Sequence, residues 1–287
     1  MSIDGKRNAA TAIFVALLIL SVFWPSPVVS VNRLCCNASL SVDELSFLGR
    51  EAPAWDVVYW CVAGLFALWV LYDVHDFAPV VAEFRAVRFR FRALTWIAVV
   101  VAASLVLLVW MFIDSDVTAW AEKVNSDTLE DWIRIANRFG GGMNPVMIIL
   151  FFALAGLAYA KREWVSYAVR MTIAGAIGGA LVQIVKFAVG RTRPELWLGP
   201  FHHARASASS FPSGHTVGAF ALAGVLMLRA ESKTLRWVAA VLAFAVALSR
   251  VLAFRHWTSD VTASAAIGLL AAAAMPARPL PSPRSSR

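Results

Sequence analysis

Stretches of about 20 mostly apolar residues recur along this 287-residue chain, close to the length an α-helix needs to cross the hydrocarbon core of a bilayer. They read as eight spans, at roughly 9–28, 55–72, 93–113, 143–160, 168–189, 214–230, 234–252 and 257–275. With 60% hydrophobic and only 15% charged residues, a soluble domain would lack the polar surface to cover itself. The expected fold is therefore an all-α integral membrane protein. Its domains read as residues 1–92 with the first two spans, 93–276 with the remaining six, and a proline-rich disordered tail at 277–287. The first span has a rival reading as a signal peptide ending near Ser30, which would leave the later spans in place.

The net charge of +8 does not point to nucleic acid, because the cations form no stripe interleaved with aromatics. They cluster on alternate connections instead: Lys6 and Arg7; Arg85, Arg88, Arg90 and Arg92; Lys161, Arg162 and Arg170; Arg229, Lys233 and Arg236; and the C-terminal arginines. The positive-inside rule makes that face cytoplasmic, with both termini on it. Between the third and fourth spans, Val117, Trp120, Val124, Trp132, Ile133 and Ala136 recur at helical spacing and predict one or two amphipathic surface helices. Gly175 and Gly179 predict a close helix approach in the fifth span. Cys35, Cys36 and Cys61 have no metal-binding or redox spacing.

Three polar stretches interrupt the apolar pattern. Lys186, Arg193 and Pro194 end the fifth span; Pro212, Ser213, Gly214 and His215 open the sixth; Ser249, Arg250, His256 and Asp260 straddle the seventh and eighth. By parity all three fall on the external face, where they can meet. A lysine in an apolar stretch is costly unless it snorkels or meets an anion. Arg193 offers a planar fork for two phosphate oxygens. Ser213 is placed as an N-cap and Gly214 lets backbone approach a ligand at a helix N-terminus. His256 and Asp260, four apart, share a helical face, so that Asp260 can accept from Nδ1 and leave Nε2 as a lone-pair nucleophile. A capped helix start and a helix-start salt bridge are the plainer readings of the last two groups.

The spacings Lys-x6-Arg-Pro, Pro-Ser-Gly-His and Ser-Arg-x5-His-x3-Asp resemble the three-part signature of the type-2 phosphatidic acid phosphatase superfamily, related to the vanadium haloperoxidases. The resemblance covers spans three to eight and implies a six-helix phosphatase core, with two additional N-terminal transmembrane helices outside it. It implies that His256 becomes transiently phosphorylated with Asp260 orienting it, and that His215 is the general acid. It implies that Lys186, Arg193, Ser213, Gly214 and Arg250 bind the phosphate, and that no metal or other cofactor is required. The implied function is metal-independent hydrolysis of a terminal lipid phosphate, at the periplasmic face of a bacterial inner membrane. A phosphotransferase using the same intermediate is the alternative. A transporter would want inverted repeats, which are missing, and a vanadate-dependent peroxidase does not account for the spans.

Other polar residues read as peripheral. Arg191 is expected to be a surface charge, Asp114 and Asp116 to be solvated, and His75 to be cytoplasmic. His202 and His203 are expected to line the entrance rather than hold a metal.

Overall fold

The computed structural model describes residues 8, 11–12, 15–16, 77–90, 93–124, 126–141, 144–203 and 209–275. The chain divides into two units, Met1–His75 and Asp76–Arg287. In the first, the described positions Asn8, Thr11, Ala12, Val15 and Ala16 are helical, all but Asn8 within the expected span 9–28. The span at 55–72, the three cysteines, His75 and the tail at 277–287 lie outside the described residues, as does most of the 9–28 span.

The regular structure in the described part of the second unit is helical apart from one isolated bridge: α1 (Ala78–Ala86), α2 (Ala93–Phe112), α3 (Asp114–Val124), α4 (Asp127–Gly140), α5 (Asn144–Ala158), α6 (Arg162–Val189), α7 (Gly214–Arg229), α8 (Lys233–Leu252) and α9 (Thr258–Ala273). A 3-10 turn, Pro194–Leu196, lies between α6 and α7. Helices α2, α6 and α8 are long and apolar enough to cross a membrane, while α5, α7 and α9 are shorter apolar helices. Leu94, Trp96, Ile97, Val100, Leu107 and Met111 of α2 are all exposed, an arrangement suited to contact with lipid rather than water. The protein is an integral membrane protein.

Helix α7 is the centre of the bundle and packs against α6, α8 and α9. Val217, Ala221, Leu222, Val225 and Leu226 bury its faces, joined by Met171 and Ala174 of α6 and by Ala272 and Met275 from α9 and its end. Small residues set the separation between axes. A Cβ on Gly268 would meet Ala221 N at 2.7 Å and Phe220 C at 2.8 Å, and one on Gly178 would meet Val217 Cγ1 at 2.5 Å. The expectation for Gly175 and Gly179 is corrected here. A Cβ at Gly175 would make only ordinary contact with Leu222, and one at Gly179 meets nothing within 4 Å.

Two further elements differ from expectation. Helix α6 begins at Arg162, six residues before the expected start of the fifth span, so Arg170 lies well inside it rather than at its edge. Arg170 is buried there and pairs with Glu83 of α1 at 3.4 Å, which explains how a cation is tolerated in that position. Helix α1 itself has too short an apolar pattern to stand out in the sequence. The expected amphipathic segment is present as α3 and α4, with Trp120 and Trp132 exposed.

Gly268→Ala is expected to destabilise the bundle by about 1–3 kcal/mol, because the added methyl overlaps α7 backbone. Gly179→Ala is expected to be neutral. Thermal denaturation of the two variants in the same detergent checks the contrast; equal effects would contradict the packing register.

Candidate active site

The left-handed cap of α6 begins the site. Gly190 (φ 61°, ψ 26°) donates to the Lys186 carbonyl at 3.1 Å and turns the chain out of the helix. The next residues fold back on themselves: Thr192 N donates to His202 O at 3.0 Å, and Arg191 bridges His203. Arg191 thereby turns inward. It is fully buried, not a surface charge, and its guanidinium uses both ends of its fork. Nη1 donates to Asp260 Oδ1 at 2.5 Å and Ser259 Oγ at 2.7 Å, Nη2 to Asp114 Oδ2 at 2.6 Å, and Nε to Pro200 O at 2.9 Å. The Trp110 ring covers its carbon at 4.3 Å.

Asp114 is likewise buried, not solvated, whereas Asp116 is exposed as expected. The N-terminus of α9 explains the difference: Asp114 Oδ1 accepts from Ser259 N at 2.8 Å, and Oδ2 accepts from Ser259 Oγ at 2.5 Å. A carboxylate 145 residues away in sequence thus satisfies a first-turn amide of α9. Burial pushes the Asp114 carboxyl up from its ordinary range, and the Arg191 and Ser259 donors pull it down.

His256 sits just before α9 and is nearly buried. The expected donation from Nδ1 to Asp260 is corrected: Nδ1 is 2.6 Å from the Ser210 carbonyl and 3.6 Å from Asp260 Oδ2. Asp260 is occupied by Arg191 and by Trp257 N, which donates to Oδ2 at 2.9 Å. Donation to a carbonyl requires a proton on Nδ1, so the neutral ring still presents Nε2 as its lone pair. Burial pushes the imidazole down to about 4; Asp260 opposes this, and Arg250 and Lys186 add to it.

Helix α7 begins at this same place. Ser213 occupies the N-cap position, but its side chain makes no bond to the helix backbone. It accepts from Thr216 Oγ1 at 3.0 Å instead, while its own amide donates to Ser264 Oγ at 2.7 Å. The amides of Gly214 and His215 that follow have no acceptor within the helix, as at any helix N-terminus. Arg250, Lys186, Arg193 and His256 all lie close enough to His215 to act on its charge. The residues expected from the sequence are therefore brought together: Lys186, Arg193, Ser213, Gly214, His215, Arg250, His256 and Asp260.

Two guanidinium groups here retain unused donors. Arg193 is 3.5 Å from Glu195, and Arg250 Nη1 donates to Asn137 Oδ1 at 2.6 Å, yet the Nε of each is buried without an acceptor among the described residues. Glu195 is shared with Arg255 at 3.0 Å. The end of α4 forms a wall: a Cβ on Gly141 would overlap the His215 ring, and Gly140 abuts the His215 carbonyl. The Gly140–Gly142 run was the available signal for this close approach, and Asn137 gave none. His203 Nδ1 lies 2.8 Å from Val189 O, in the loop expected at the entrance.

Residues 163–280 match a family model described as the PAP2 superfamily. A lipid A 1-phosphatase of Porphyromonas gingivalis is 33% identical over 130 residues, 44% of this chain and 27% of that protein. The bacitracin transport permease protein BcrC of Bacillus licheniformis is 44% identical over 64 residues, 22% of this chain and 30% of that protein. The matches thus span less than a third of the length of either relative. Among solved structures, a PAP2-type phosphatidylglycerolphosphate phosphatase from Bacillus subtilis is 21% identical with a TM-score of 0.45, covering 73% of this chain and 90% of that one. Aquifex aeolicus LpxE is 21% identical with a TM-score of 0.47, covering 56% and 93%.

The buried neutral state of His256 has a consequence for stability. Its value when folded lies below the ordinary 6.5, so the unfolded chain takes up the proton first. Its contribution is present above about 6.5 and is lost as pH falls towards about 4. Thermal midpoints in detergent at pH 7.5 and pH 5 are expected to drop less for His256→Asn, which keeps a donor facing Ser210, than for the unsubstituted protein. An equal drop would contradict the burial of a neutral ring.

Proposed function

We propose that this chain, whose residues 163–280 match the PAP2 superfamily model, is a lipid-phosphate phosphatase working through a phosphohistidine on His256, with its site on the extracytoplasmic face. The observation that carries the reading is the convergence of Lys186, Arg193 and Arg250 on two histidines, with the His256 amide donating to the Arg250 carbonyl at 3.2 Å. The Nε atoms of Arg193 and Arg250 are buried without acceptors among the described residues, as are those of Arg170 and Arg229 at the opposite end, so the clustering of charge is what singles out this end. A buried donor left unpaired is costly, and a phosphate dianion supplies acceptors and opposite charge together. The first-turn amides of α7 add donors and a positive helix end.

The chemistry follows from that placement. Nε2 of His256 attacks phosphorus; the P–N bond forms as the bond to the lipid oxygen breaks. The leaving oxygen takes the electron pair and a proton from His215, which the bound phosphate dianion keeps protonated against the surrounding cations. His215, now neutral, accepts a proton from water as the water attacks the phosphohistidine. The P–N bond breaks, inorganic phosphate leaves and neutral His256 returns. The Ser210 carbonyl accepts from Nδ1 throughout, so the ring keeps its orientation. Charge on the transferring group is met by fixed cations in a site sheltered from water.

A lipid substrate is supported by the setting. Phe187, Leu196, Trp197, Leu198 and Phe201, around the connection that carries Arg193, are exposed and apolar. They offer acyl or prenyl chains a surface beside a polar site. The name of one relative, a lipid A 1-phosphatase, fits the same class.

Purified protein is expected to release inorganic phosphate from at least one of phosphatidic acid, phosphatidylglycerophosphate, undecaprenyl diphosphate and lipid A 1-phosphate. His256→Ala is expected to lower kcat by about a thousandfold or more. Wild-type turnover in that variant would remove the mechanism. For the topology, His203→Cys is expected to label from outside intact spheroplasts and Arg88→Cys only after permeabilisation; external labelling at 88 would place the site on the cytoplasmic face.

A further inference from the structure

Arg191 and Asp114 stand outside the three-part signature, yet together they hold the groups that hold His256. Two routes lead from Arg191 to the imidazole. The side chain fixes Asp260 Oδ1 at 2.5 Å, and the other oxygen of that carboxylate lies 3.6 Å from His256 Nδ1. The backbone carbonyl of Arg191 accepts from Ser210 N at 2.7 Å, and the Ser210 carbonyl lies 2.6 Å from His256 Nδ1. Thr192 reinforces the second route, its carbonyl accepting from Ser210 Oγ at 3.0 Å and from Trp257 Nε1 at 2.8 Å.

We propose that Arg191, with Asp114 as its counter-charge, is the positioning residue of the nucleophile, setting the orientation of His256 through Asp260 and Ser210 without touching substrate. The proposal rests on the reading of His256 as the nucleophile. Its chemistry requires arginine: two carboxylates are held at once by the two ends of one rigid planar fork, a geometry that a lysine ammonium cannot reproduce. All three charged side chains are fully buried, so their interactions escape screening by water and salt. One cation between two carboxylates leaves a single net negative charge. The imidazole becomes cationic as Nε2 bonds to phosphorus, and that charge completes the balance. Asp114 has a second task, joining the end of α2 to the first turn of α9 through Ser259, so the nucleophile is referenced to a membrane-spanning helix.

The test uses the full chain in detergent with a lipid phosphate that the unsubstituted protein hydrolyses. Arg191→Gln is expected to lower kcat by about 10–100-fold, in the range for residues that orient a reacting group. KM and the inhibition constant of inorganic phosphate, which reports the phosphate cradle without bonding to Nε2, are expected to stay within about threefold. Arg191→Lys is expected to recover little. In an Asp260→Asn background, Arg191→Gln is expected to cost less than about threefold more, because both act on one imidazole. Unchanged kcat, a loss falling on KM or on inorganic phosphate affinity, or fully additive losses in the double variant would overturn the proposal. Should Arg191→Gln fail to fold, Asp114→Asn, which keeps the shape and removes the charge, carries the same comparison. The two readings fail differently. An inert unsubstituted protein, or a fully active His256→Ala, would remove both; an inactive His256→Ala beside a fully active Arg191→Gln would remove only this one.

Discussion

One buried guanidinium, clamped between two carboxylates, organises the polar end of this bundle. Arg191 is bound by Asp114 at 2.6 Å and Asp260 at 2.5 Å, and all three are inaccessible to solvent. Burying such charges costs several kcal/mol per ion, offset only when geometry and further hydrogen bonds are good, and removing one partner costs roughly 3–5 kcal/mol. Here the additional bonds are present: Ser259 through amide and hydroxyl, Trp257 N, the Pro200 carbonyl, and the Trp110 face. The clamp ties three places far apart in the chain, the α2–α3 junction, the α6–α7 connection and the start of α9. The residues proposed to hold a phosphate lie around it.

Apolar packing sets the geometry in which that clamp can form. Helix α7 runs through the centre with α6 and α9 close against it, because Gly178 and Gly268 leave no side chain between the axes. The ends of α6 and α8 and the starts of α7 and α9 therefore come to one place, carrying Lys186, Arg250, His215 and, just before α9, His256. The opposite end is sealed separately, by Glu83 against Arg170 and by Arg229 donating to the Ala272 carbonyl at 2.9 Å. Such a separation permits a polar site at one end of a largely apolar bundle.

Much of this was legible in the sequence, for identifiable reasons. The all-helical membrane fold follows from apolar run length, and the convergence of the site from the parity of the spans, since alternate connections share a face. Lys186, Arg193, His215, Arg250 and His256 stand out as polar groups where an apolar pattern is interrupted. Arg191 was not legible. Two residues from Arg193 in the same connection, it differs only by the inward turn after Gly190, and composition does not encode that turn. Asp114 was missed for a related reason: a carboxylate ending an apolar run can face water or a distant helix start, and only tertiary packing decides. The partner of His256 Nδ1 was misassigned because helical spacing put Asp260 on the right face but could not show that Arg191 already held it. The spacing points to Gly175 and Gly179 as the close-packing pair instead of Gly178 because successive helix positions differ by about 100°, and the sequence does not say which face meets α7.

Trapping the covalent intermediate tests the central claim most directly. A lipid phosphate labelled with 32P, mixed with the protein for milliseconds and quenched in alkali, should leave label on protein that is stable to base and released by acid. Peptide mapping should place it on His256. Label retained on protein when His256 is replaced, or full turnover with no labelled protein at any quench time, would contradict the account.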